Sequence, residues 1–86
     1  MLEIGYKSSF ICSYNEAETS LQEEIREKIN LFKDKSNHQS LKVHKLRGPL
    51  KDRYSFSVNY KTRIVFRFTS KNEAVLLDVG DHDLYK

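Results

Sequence analysis

The sequence predicts a small α+β domain in which two helices pack on one face of a mostly antiparallel sheet. Three observations carry that expectation. Leu2, Ile4 and Tyr6 alternate with Glu3, Gly5 and Lys7, the period-2 pattern of a half-buried first strand. Leu21, Ile25, Ile29 (or Lys28) and Phe32 fall at helical spacing, so one stripe faces a core. Residues 54–79 then hold three strand-like runs in succession. A strand, two helices and a block of strands is an order that places the helices on one side of the sheet. With 86 residues the chain has room for one modest core, so residues 1–86 are read as a single domain.

After the first strand, residues 9–17 are expected to form a short helix, with Phe10, Ile11 and Tyr14 as its apolar contacts and Cys12 turned into the core. Ser20-Leu21-Gln22-Glu23 reads as a capping box opening the second helix, in which Ser20 and Glu23 satisfy each other's free N–H groups. Glu23, Glu24 and Glu27 near its start and Lys33 and Lys35 near its end complement the helix dipole. Ser36-Asn37-His38-Gln39-Ser40 closes it, and His38 is assigned no role. Leu41 to Leu46 is extended or a short edge strand, followed by a Gly48-Pro49 turn. Tyr54, Phe56 and Val58 alternate with serines and Asn59, giving one apolar and one polar face. Asn59-Tyr60-Lys61 connects this strand to Ile64, Phe66 and Phe68, which alternate with Arg63, Val65 and Arg67. Ser70-Lys71-Asn72 turns the chain into Ala74 to Val79, a near-continuous apolar run of the kind found in strands covered on both faces.

Composition narrows the function classes. No apolar run approaches the roughly 18 residues of a membrane span, and the N-terminus lacks the basic-then-apolar pattern of an export signal. One cysteine excludes an internal disulfide and fits a reducing, cytoplasmic setting. His38, His44 and His82 fall at no metal-ligand spacing, so neither a metal nor another cofactor is expected. The net charge of +3 conceals an asymmetry: residues 42–67 hold eight cations against Asp52, a net +7, while the remainder holds seven cations and eleven acids, a net −4. Such a block is an electrostatic footprint for a polyanion, with a solvated charged surface as the alternative.

His44-Lys45-Leu46-Arg47-Gly48 and, about thirty residues on, Gly80-Asp81-His82-Asp83-Leu84-Tyr85 place two histidines, fixed cations and a tyrosine at strand ends. Metal-free RNA cleavage needs a base for the ribose 2′-OH, an acid for the leaving 5′-oxygen and cations for charge on the phosphoryl oxygens. His is the side chain suited to both proton transfers near neutral pH. Each residue also has a structural reading: His82 capping a strand through Asp81 or Asp83, His44 bonding to backbone, Arg63 pairing with Asp78, Tyr85 lying as an apolar lid. Lys45, Arg47, Lys51, Arg53 and Lys61 are the candidate phosphate contacts.

The segments His44 to Gly48, Tyr54-Ser55-Phe56, Tyr60 to Phe66 and Val75 to Tyr85 resemble, in order and spacing, the RelE/ParE superfamily of bacterial toxins, nearest its YafQ-like and RelE/StbE-type members. The resemblance implies an endoribonuclease that cuts messenger RNA, often at the ribosome, until a cognate antitoxin protein neutralises it. It assigns proton transfer to His82, a partner role to His44, phosphate stabilisation to Arg63 and nucleotide stacking to Tyr85. A ParE-like branch that inhibits DNA gyrase, or a degenerate relative that only binds antitoxin, are the alternatives, since fold does not fix function. Two places depart from the YafQ-like pattern: Ser57 and Lys61 stand where a His and an Asp are usual. Only Asp83 and Leu84 separate His82 from Tyr85.

Overall fold

A computed structural model describes residues 1–47 and 52–81. The chain runs β1 (Glu3–Tyr6), α1 (Ser8–Glu16), α2 (Thr19–Phe32), a 3₁₀ turn (Lys35–Asn37), β2 (His44–Lys45), β3 (Tyr54–Ser57), β4 (Thr62–Ser70) and β5 (Glu73–Asp81). The sheet order is β1-β5-β4-β3-β2. Among the described residues β1 pairs in parallel with β5, Ile4 against Ala74 and Tyr6 against Leu76, while the other pairings are antiparallel. The long final strand therefore sits inside the sheet, as its apolar run requires.

Side chains alternate across a strand, so each pairing fixes which residues share a face. Phe56, Ile64, Phe66, Ala74, Leu76 and Val79 share the inner face and join Phe10, Ile25, Ile29 and Phe32 from the helices in one buried cluster. Phe32 is its centre. Its ring lies 4.3 Å from that of Phe56 in a near-parallel stack, with His38 stacked on the other side at 4.7 Å and Phe66 edge-on at 4.7 Å. His38 is thus a packing residue, its Nε2 2.8 Å from the Phe32 carbonyl. A polar loop in the sequence gave no sign of that contact.

The structure corrects several expectations. No side-chain bond caps α2, and Ser20 lies inside the helix because α2 begins at Thr19 with Glu18 at the cap. The turn after α1 sets this start: the Ala17 N–H bonds to the Tyr14 carbonyl, and the Gln22 side chain donates to the same carbonyl. The helix also ends earlier than its basic residues imply, at Phe32. Asp34 is extended and its carboxylate accepts the Ser36 N–H, opening the 3₁₀ turn and holding that carboxyl below its usual pKa. Cys12 is exposed rather than core, and Ile11 is 48% exposed, because α1 buries only Phe10 fully. The Asn59-Tyr60-Lys61 connection stands as expected, with the Asn59 side chain accepting the N–H groups of Lys61 and Thr62 at 2.8 Å each. No helix among the described residues is long and apolar enough to cross a membrane.

Candidate functional site

The outer face of the sheet is the polar counterpart of the phenylalanine face. His44 pairs with Ser55, Ser55 with Val65, and Ser57 with Arg63, so these five residues look the same way. Strand spacing of about 4.8 Å and a rise of about 3.4 Å per residue put the Cα atoms of His44 and Arg63 roughly 12 Å apart. A flexible arginine and an imidazole span that distance from either side of one phosphodiester.

His44 is exposed, and its Nδ1 lies 2.9 Å from the Lys42 carbonyl. A carbonyl only accepts, so Nδ1 is the donor here, and in the neutral form of the ring Nε2 is the acceptor nitrogen. The Ser55 hydroxyl sits 3.5 Å from that nitrogen, a long contact from a fully buried side chain. Lys42 reaches this position with a left-handed backbone, φ 59°, which costs a non-glycine residue roughly 1–2 kcal/mol. The backbone reading and the proton-transfer reading of His44 are therefore compatible: the bond at Nδ1 leaves Nε2 as the ring's second nitrogen, facing the Ser55 hydroxyl.

Arg63 is half-buried, and its Nη1 donates to Ser57 Oγ at 2.9 Å. The expected pairing with Asp78 is not made. Asp78 instead accepts from Ser13 Oγ at 2.7 Å and from the Val79 N–H at 2.8 Å. A neutral hydroxyl holds Arg63 without cancelling its charge, and Gly80 faces it across β4–β5 with no side chain to screen it.

The candidate phosphate contacts do not form one cluster. Lys45 pairs with Tyr54, on the opposite side of the sheet from His44. Arg53 lies 4.0 Å from Asp52, and Lys61 is exposed on the β3–β4 hairpin. That hairpin borders a cavity of ≈ 860 Å³ whose other walls include Leu21, Glu24, Val79 and Asp81, and neither His44 nor Arg63 lines it. Arg47 is exposed just beyond β2. His82, Tyr85 and Lys51 lie outside the described residues. Sequence reasoning missed the supports: Ser55 and Ser57 read as the polar side of a strand, and only the register shows which charged group each addresses.

The fold has structural parallels. No family model and no curated protein matches the sequence. Solved structures do. A conserved hypothetical protein from Helicobacter pylori, HP0894, superposes with a TM-score of 0.72 at 23% identity, over 96% of this chain and 97% of that one. YafQ from Escherichia coli gives 0.74 at 13% identity over 98% and 97%. The heterotetrameric YoeB–YefM toxin–antitoxin complex from Staphylococcus aureus gives 0.73 at 19% over 95% and 98%. This chain has the RelE-like toxin fold. The resemblance read from the sequence is thereby matched at the level of fold, across nearly the full length of each structure.

Proposed function

We propose that this protein is the toxin of a toxin–antitoxin pair and acts as an endoribonuclease on messenger RNA, at the ribosome, without a metal. The observation that carries the reading is one sheet face bearing an imidazole anchored to backbone through Nδ1 and an arginine held by a neutral hydroxyl. His44 Nε2 would take the proton of a ribose 2′-OH as its oxygen attacks the adjacent phosphorus. Arg63 would stabilise charge on the non-bridging oxygens. His82, which follows Asp81 in the chain, would give a proton to the departing 5′-oxygen, and Tyr85 would stack on a base. The fold is shared with YafQ, which is also seen in a toxin–antitoxin complex with DinJ, and this supports a cognate antitoxin and a cytoplasmic site of action for this chain.

The test is primer-extension mapping of transcripts after brief induction, with His82→Ala, His44→Ala and Arg63→Gln beside the unmodified protein. New ends that each variant reduces by about 10²–10⁴-fold, at equal expression, are the expected result. Intact transcripts accompanied by DNA-damage signalling would replace this reading with gyrase inhibition. Co-expression with the product of the adjacent reading frame should restore growth and co-purify.

A further inference from the structure

The outer face carries a second cationic feature that the catalytic reading does not use. Arg67 lies on the same face of β4 as Arg63, is exposed, and makes no ion pair or hydrogen bond among the described residues. Between the two arginines β4 carries no inserted residue, since the irregularity at Val65/Phe66 is the extra Leu77 on β5. Their Cα atoms are therefore about 14 Å apart along the strand. Across β3–β4 the pairing ends with Tyr54 opposite Phe66, and Arg53 and Arg67 are the next residue beyond that pair on their respective chains. The Leu46 N–H bonded to the Arg53 carbonyl at 2.8 Å ties Arg53 to the segment that follows β2.

Like charges directly opposite one another on a sheet repel and destabilise the pairing. Among the described residues Arg53 has Asp52, at 4.0 Å, to offset its charge, and Arg67 forms no ion pair. Two arginines that flank the last β3–β4 pair offer guanidinium groups that a phosphate with two free oxygens would neutralise. A single strand of nucleic acid covers the distance from Arg63 to this pair in about two nucleotide steps.

We propose that Arg53 and Arg67 form a second phosphate subsite, which holds a single-stranded RNA about two linkages from the phosphate at Arg63. This rests on the nuclease reading for the identity of the strand, but it concerns binding and is testable without cleavage. The strand thus runs along β4, and the pair holds it by its backbone without reading its bases.

The experiment is fluorescence-anisotropy binding of a short oligoribonucleotide carrying 2′-deoxy sugars, which cannot be cut. Arg67→Gln should weaken binding about tenfold and lower the salt slope by about 1, while Arg67→Lys keeps most of the affinity. A thermal melt of Arg67→Gln should be unchanged or higher, because a like-charge contact is removed. In the unmodified protein, a neutral methylphosphonate should weaken binding only when placed about two linkages from the phosphate protected by Arg63. In Arg67→Gln the same replacement should add little, as expected for coupled groups. Equal affinity and salt slope for Arg67→Gln, or losses that simply add, would overturn the subsite. Binding that behaves as described in a protein that cuts no transcript would leave the subsite standing and remove the nuclease. Cleavage with unaltered binding by Arg67→Gln would do the reverse.

Discussion

The two faces of this sheet are built from the same strands and obey opposite rules. On β3 and β4, Phe56, Ile64 and Phe66 are fully buried against α2, while Ser55, Ser57, Arg63 and Arg67 look the other way. The inner face is held by area and ring contact, so its members are interchangeable only with residues of similar volume. The outer face carries single hydrogen bonds aimed at charged groups, so a change of one atom re-aims a charge while leaving the fold in place. Stability and activity are therefore expected to separate by face.

The largest break in that comparison comes from the ring that touches everything. Phe32→Ala removes the partner of Phe56, Phe66 and His38 at once. A buried Phe→Ala change costs about 3–5 kcal/mol, a large share of the roughly 5–15 kcal/mol that holds a small domain folded. The urea midpoint should fall by at least about a fifth, in proportion to the stability lost. A midpoint within about a tenth of the unmodified value would mean the ring stack is not the centre of the core.

A smaller effect separates the faces from the other side. Ser57→Ala removes the acceptor of the Arg63 Nη1–H and no buried apolar area. The arginine keeps its charge but loses its fixed aim, so on the proposed nuclease reading a cleavage rate reduced about tenfold is expected, with less than about 1 kcal/mol of stability lost. Ser57→Thr retains the hydroxyl and should recover most of the rate. Equal loss in both variants would point to a packing role for Ser57 and erase the distinction between the faces.

The inner face was legible in the sequence because periodicity is a local signal. Tyr54, Phe56 and Val58, or Leu21, Ile25 and Phe32, need no partner to reveal which way they turn. The outer site was legible only by residue type. That His44 is held through Nδ1 depends on Lys42 adopting φ 59°, a conformation lysine rarely takes and no spacing announces. That Ser57 rather than Asp78 holds Arg63 depends on the β3–β4 register and on Ser13 of α1 engaging Asp78 first. The misplaced start of α2 has the same origin: Ser20 and Glu23 satisfy the capping pattern, yet the turn out of α1 fixes the helix two residues earlier. Local rules lost wherever a contact distant in sequence set the geometry.

The smallest effect tests whether the two faces differ even where neither carries chemistry. Gly5 pairs with Val75 on the outer side of β1–β5, and Ala74, its neighbour along β5, is fully buried on the inner side. A Cβ at Gly5 would meet Val75 Cγ2 at 3.4 Å and the Ala74 carbonyl at 4.0 Å, both tolerable contacts. Gly5→Ala restricts the unfolded chain without a clash, and should raise stability by about 0.5 kcal/mol, or roughly 2–4 °C in Tm for a domain of this size. Ala74→Val adds two carbons where none fits and should lower stability by about 1–3 kcal/mol. Calorimetry of the two single variants gives the sign of each change. Opposite signs would extend the division of labour between the faces to the sheet's far edge. Destabilisation by Gly5→Ala as large as that by Ala74→Val would show that β1 is packed as tightly outside as within, and the contrast between faces would then belong to β3 and β4 alone.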